Sequence, residues 1–237
     1  MSESMLDHAL AYAARGWPVF PCDPRTDPEG TPSGKRRAKR PLVPGADKDA
    51  EGRPIPKTGG LWRATTDEAQ IRRWWKRTPH ALIGVPTGRS IGAFVVDLDP
   101  HGETAAETEA RLVEAVGDLP GCPRSRTQSG GLHLWFRLPD GDETPKNSAK
   151  RLQNIDWRGN GGYVIVPPSV MDDGAFYEWI VSPDDWQLPE APARLLDLVF
   201  QRGAFARHAA EASPSSPVRP TAPRAPLEDP AERAVRQ

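Results

Sequence analysis

The chain has 237 residues and a formal net charge of −1, which suits one domain of the larger kind, or one domain with a tail. Hydrophobic residues make up 37%, and Gly and Pro number 21 and 27, so a modest core is expected, loops are abundant and part of the chain stays unpacked. Near-neutral charge excludes coating of nucleic acid by bulk basicity, the lack of any apolar run near about 18 residues excludes a membrane span, and the lone pair Cys22 and Cys122 excludes a disulfide framework or a four-cysteine zinc site.

Asp7 and His8 interrupt the layout of a secretory signal, so the expected location is cytoplasmic. Residues 3–15 carry Met5, Leu6, Ala9, Leu10, Tyr12 and Ala13 at helical spacing, with Gly16 as the stop. Residues 17–20 read as a short strand. From Cys22 to about Arg63 no periodicity appears, and a connection of that length is normally functional or disordered. The next helix is expected from Thr65: Thr65 and Glu68 have capping-box spacing, and Ile71, Trp74 and Trp75 share one face. Residues 81–86 and 91–98 are apolar runs around Thr87-Gly88-Arg89, read as strands around a turn. Residues 103–116 form an amphipathic helix ended by Gly117. Further strands are expected at 132–138, 154–157, 163–166 and 176–181, and a last helix at 191–202. After residue 212 Pro, Ser, Ala and Arg dominate, a composition that buries too little apolar surface to offset its ordering cost. The chain therefore divides into one domain over 1–205, with 22–63 as a long loop, and a tail or linker over 206–237. Strands and helices mix without regular β-α-β alternation, so the expected fold class is α+β.

Three stretches carry candidate chemistry. Phe94-Val95-Val96-Asp97-Leu98-Asp99-Pro100 is an apolar strand ending in two acids. Residues i and i+2 of a strand point the same way, so Asp97 and Asp99 present two carboxylates on one face. Like charges side by side repel unless a cation lies between them, and hard oxygen ligands suit Mg²⁺ or Mn²⁺. A solvated strand end is the plain alternative. Next, Arg126-Thr127-Gln128-Ser129-Gly130-Gly131 leads into a strand carrying His133. A turn of this kind opens backbone N–H groups toward an anion, although a lone strand histidine is more often an ordinary hydrogen-bonded residue. The third stretch is Asn154-Ile155-Asp156-Trp157-Arg158-Gly159, where Asp156 sits in a short strand before a glycine-rich turn. Taken alone it reads as a hairpin with an acidic edge.

Taken together and in this order, the three stretches resemble the prim-pol branch of the archaeo-eukaryotic primase superfamily. Gly16-Trp17-Pro18-Val19-Phe20-Pro21, Lys39-Arg40-Pro41-Leu42, Ile83-Gly84-Val85-Pro86-Thr87-Gly88 and Gly161-Gly162-Tyr163-Val164-Ile165-Val166-Pro167-Pro168-Ser169 are similar to further stretches of that family, over roughly residues 5–200. The resemblance implies an RRM-like mixed catalytic sheet joined to a smaller α/β part. It also implies a DNA primase/polymerase that uses nucleoside triphosphates on a DNA template and primer. Asp97, Asp99 and Asp156 would hold Mg²⁺ or Mn²⁺ in a two-metal arrangement. His133 and the Ser129, Gly130 and Gly131 backbone would contact phosphates, with Arg126 and Arg158 as further phosphate donors or surface ion-pair residues. A replicative helicase is a further implied partner, and the Ala-, Arg-, Gly- and Pro-rich composition suggests a high-GC bacterial or phage setting. The competing readings are a non-catalytic nucleotide- or DNA-binding replication module, a metal-dependent nuclease, and a sugar-nucleotide transferase.

One segment departs from the family pattern. Residues 25–63 hold ten Lys/Arg against five Asp/Glu, and Lys35, Arg36, Arg37, Lys39 and Arg40 fill five of six consecutive positions. In a chain of balanced charge this run is the expected phosphate-backbone patch.

Overall fold

A computed structural model of the chain describes residues 3–26, 38–141, 145 and 147–201. The expected tail, and Lys35, Arg36 and Arg37 of the basic run, lie outside the described residues.

Helix α1 (Met5–Ala14) starts at Ser4, whose hydroxyl accepts from the Asp7 amide while the Asp7 carboxylate accepts from the Ser4 amide. Strand β1 (Phe20–Cys22) follows. The described residues between Asp23 and Arg63 form turns, isolated bridges and one 3₁₀ turn, Gly60–Arg63. Helix α2 (Glu68–Arg77) is capped by Asp67, which accepts from the Ala69 amide at 2.9 Å, and not by the expected Thr65 box. The reason is that Thr65 exchanges both backbone hydrogen bonds with Val19, which holds it extended. Helix α3 (Ala105–Val116) has the full box, with Thr104 and Glu107 satisfying each other's amides, and ends at Gly117.

The strands form two antiparallel sheets. A three-stranded sheet has the order β1, β2 (Leu82–Pro86), β8 (Tyr163–Val166). A six-stranded sheet has the order β6 (Ser148–Leu152), β7 (Ile155–Arg158), β3 (Ala93–Leu98), β5 (Leu132–Arg137), β4 (Arg124–Arg126), β9 (Glu178–Val181). A short last helix, α4, spans Ala193–Val199. The α+β reading therefore holds, with four helices among the described residues, but the large sheet is antiparallel in every strand pairing described and not mixed as the resemblance implied.

Strand alternation sorts the large sheet's residues onto two cores. Phe94, Val96 and Leu98 of β3, Leu132, Leu134 and Phe136 of β5, and Ile155 and Trp157 of β7 face α3 and α4. Val95 and Trp135 face the other way and join a second core with α1, α2 and the small sheet. Trp75, Trp135 and Trp157 are fully buried, and truncating one to Ala would cost about 3–5 kcal/mol. The small sheet thus covers only part of the large sheet's second face. The rest of that face, at the Asp97 end of β3, is open as a cleft. Among the described residues no helix is long and apolar enough to cross a membrane.

Candidate active site

The register of the large sheet builds the site. Asp97 on β3 stands opposite Asp156 on β7 and opposite His133 on β5. Directly paired residues put their side chains on the same face of a sheet, so one row carries Asp156, Asp97 and His133, continued by Ser125 and Trp179. The Asp156, Asp97 and His133 side chains therefore share the face opposite the α3 core.

Arg158, two residues beyond Asp156, lies on that face too. Its Nη2 donates to Asp97 Oδ2 at 3.1 Å and to Asp156 Oδ2 at 3.4 Å. A positive group therefore sits between the two facing carboxylates, which offsets their repulsion. Asp99 lines the same cleft, but its carboxylate is 3.2 Å from His101 Nε2. His133 is only 5% exposed. Its Nε2 is 3.6 Å from Asp97 Oδ1, and its Nδ1 is buried without a hydrogen-bond partner among the described residues. Burial holds the imidazole below its ordinary pKa, against the upward pull of Asp97 and with Lys39 and Arg158 adding to the lowering. The ring stacks on Tyr177, with centroids 6.3 Å apart.

The cleft encloses about 340 Å³. Asp97, His133 and Arg158 line one side of it, and the start of β8 with the preceding Gly161 and Gly162 lines another. The turn between β4 and β5 supplies one rim. There Gly131 packs so closely under β3 that a Cβ would stand 2.1 Å from the Leu98 carbonyl oxygen. The model of the family described as bifunctional DNA primase/polymerase, N-terminal (Prim-Pol), matches residues 9–194.

The chain belongs to this family. No curated protein matches the Prim-Pol chain.

Of the residues that the sequence singled out, Asp97, Asp99, His133, Ser129 and Arg158 line the cleft of this Prim-Pol domain, and Asp156 joins them through Arg158. Lys39 also lines it, with Nζ 5.9 Å from the centre of the Tyr177 ring, while Arg40 is exposed. Two expectations change. The Gly130 amide donates to the Thr127 carbonyl at 3.0 Å, and the Gly131 amide donates to Thr127 Oγ1 at 3.1 Å. Those two N–H groups close the turn on itself, and Thr127 and Ser129, whose hydroxyls lie 3.1 Å apart, are the residues of the turn that line the cleft. Arg126 is not in the cleft. It alternates with Ser125, which faces His133, so it points to the opposite side and pairs with Glu178 at 3.3 Å.

Thr127, Asn147 and Tyr177 line the cleft and were not singled out from the sequence. Thr127 belongs to the Ser/Gly turn that the sequence marks, so the turn itself was the signal. Tyr177 is one of three aromatics, with Phe176 and Trp179, at the start of an expected strand, and nothing in the sequence separates it from the other two.

A divalent cation suits this donor set. Asp97 and Asp156 are hard oxygen donors, they face each other in register, and a guanidinium already spans them as a stand-in cation. Among the described residues no three His, Cys, Asp or Glu groups close on one point. Asp99 would have to turn from His101 to complete a three-carboxylate set.

Proposed function

We propose that this Prim-Pol domain is a template-directed nucleotidyltransferase, a DNA primase/polymerase. The observation that carries the reading is the in-register row Asp156, Asp97 and His133 in a family member, with Asp97 and His133 lining the cleft and Asp156 held to Asp97 through Arg158. In the reaction, the primer 3′-oxygen attacks the α-phosphorus of a nucleoside triphosphate. The new phosphodiester bond forms as the bond to the β-phosphate breaks, and pyrophosphate leaves.

Asp97, Asp156 and Asp99 are the residues that would hold Mg²⁺ or Mn²⁺. When bound, such ions lower the pKa of the attacking hydroxyl and neutralise the departing pyrophosphate. Arg158 exchanges its carboxylate contacts for triphosphate oxygens, since a guanidinium fork matches phosphate geometry. Lys39 adds a second positive charge from the facing rim. His133, whose burial disfavours the charged imidazolium, contributes a directed hydrogen bond. The Thr127 and Ser129 hydroxyls can turn to accept or donate as the phosphates require.

The test is incorporation of labelled dNTP on a primer-template with Mg²⁺ or Mn²⁺, run beside a primer-free template. Template-dictated extension is the expected result. Binding without incorporation would establish a non-catalytic module instead, and strand scission would establish a nuclease.

A further inference from the structure

Trp62 is a large aromatic left at the mouth of the cleft with no core to explain it. It lies in the 3₁₀ turn Gly60–Arg63, and the two sides of that turn behave differently. Leu61 packs against the core shared with the small sheet and lines the cleft. Trp62, the next residue, is 40% exposed. The six-membered ring of its indole lies over Gly161 of the cleft wall, where even a Cβ would reach Cζ2 at 3.6 Å. Above the ring stands Lys57, with Nζ 5.7 Å from the ring centre.

The turn is braced. The Gly60 amide donates to the Pro44 carbonyl at 3.0 Å, the Ala64 amide donates to the Leu61 carbonyl at 3.2 Å, and Arg63 pairs with Asp47. A ring presented on a fixed turn loses little further freedom when it is covered.

The electrostatics around it are one-sided. Residues 38–63 carry six Lys/Arg and three Asp/Glu. All three acids are engaged by arginines of the same segment, Asp47 by Arg63, and Asp49 and Glu51 by Arg53. The excess positive charge is left on residues that include Arg40, Lys48 and Lys57.

An exposed indole in a positive surround, seated against Gly161 of the wall of a cleft proposed to handle phosphates, fits single-stranded nucleic acid. Every base offers a π-face to stack on, and the backbone follows the positive charge. We propose that Trp62 is a stacking platform for an unpaired base of single-stranded nucleic acid at the mouth of the cleft. The proposal rests on the template-directed reading above and adds a residue and a contact type to it.

The test uses the full chain, a fluorescein-labelled single-stranded DNA oligonucleotide and fluorescence anisotropy over a salt series. Trp62→Ala weakens binding about five- to a hundredfold, the scale of one stacked base. Trp62→Phe, which keeps a π-face, retains most of the affinity. The slope of log K against log salt stays at its wild-type value, because an indole neutralises no phosphate. Trp186→Ala, which removes an indole 52% exposed that lies against Gly121 and not against the cleft wall, binds as wild type. Unchanged affinity in Trp62→Ala overturns the proposal, as does equal loss in Trp62→Ala and Trp62→Phe. The two readings fail separately. Trp62-dependent binding without nucleotide incorporation by the wild type removes the polymerase reading and keeps the platform. Incorporation with binding that ignores Trp62 removes the platform alone.

Discussion

Arg158 Nη2 stands 3.1 Å from Asp97 Oδ2 and 3.4 Å from Oδ2 of the Asp156 carboxylate that faces Asp97 across the sheet. On the proposed function the guanidinium occupies the place that a divalent ion would take, and it is an arginine of the cleft lining that would meet a triphosphate. These two roles would exclude one another in time, so the arginine would leave the acids as metal and nucleotide bind.

That exchange has a measurable signature. Arg158→Ala binds Mn²⁺ more tightly than the wild type when no nucleotide is present, because the competing cation is gone. The same variant binds nucleotide about ten- to a hundredfold more weakly, the usual worth of a charge-assisted hydrogen bond to phosphate. Electron paramagnetic resonance titration of free Mn²⁺ reads the first effect and equilibrium dialysis of labelled nucleotide the second. Weaker Mn²⁺ binding in the variant would show that Arg158 supports the metal site and does not compete with it.

Gly131 sets the distance between β3 and the turn before β5. Gly131→Ala drives a Cβ toward the Leu98 carbonyl, 2.1 Å away, and backbone cannot yield as a side chain can. Overpacking of this kind costs about 1–3 kcal/mol, and each kcal/mol lowers Tm by about 2–4 °C in a chain of this size. Because Leu98 lies between Asp97 and Asp99, incorporation falls further than the stability loss explains. A thermal scan paired with incorporation at a temperature where both proteins are folded checks this.

Glu103 anchors the segment that follows the acids. Its carboxylate accepts from Arg111 at 2.5 and 2.7 Å, from Thr108 at 2.7 Å and from Asn154 at 2.8 Å. Arg111 first, then Thr108 and Asn154, lower its pKa from 4.5 to about 2. A lowered folded-state value means stability that is present above 4.5 and lost as pH falls through about 2. Glu103→Gln is therefore less stable than the wild type at pH 7, and the gap closes across that acid window. Melting curves from pH 7 down to pH 2 follow it. A gap that stays constant with pH would contradict the assignment.

Lys39 and the rest of the basic run separate in function. Lys39 lines the cleft, so Lys39→Ala raises KM for nucleotide and leaves the salt dependence of DNA binding alone. Neutralising Lys35, Arg36, Arg37 and Arg40 together lowers the slope of log K against log salt by about 0.7 for each of these residues that pairs with a phosphate of single-stranded DNA. Steady-state kinetics and an anisotropy salt series distinguish the two. An unchanged slope in the fourfold variant would make those residues a solvated loop.

The parts of the fold that were legible in sequence are those with strong periodicity. The apolar run of β3 and the short strands read at β5 and β7 put Asp97, His133 and Asp156 at strand positions, and the helical spacing of α1, α2 and α3 held. Strand β4 was missed because its three residues, Arg124, Ser125 and Arg126, place charges where a half-buried strand usually shows apolar groups. Arg124 is accommodated there because Glu109 of α3 meets it at 3.1 Å. That missing strand also explains Arg126: without its pairing partner, nothing in the sequence says which way it faces. Strand β6 is a polar edge strand, and its pairing with β7 comes from tertiary context and not from its own pattern. The sharing of the cleft by Lys39, Thr127, Asn147 and Tyr177 depends on the small sheet folding over the large one, a relation no local spacing encodes.

The central claim is that the Asp97 carboxylate acts in nucleotide transfer. Single-nucleotide incorporation by Asp97→Asn, measured beside anisotropy of the same protein on the same primer-template, tests it most directly. The account predicts that incorporation falls by at least about a thousandfold, as expected for a group that works as part of a catalytic unit, while DNA binding stays within a few-fold of wild type. Incorporation by Asp97→Asn at a rate near the wild type would contradict it.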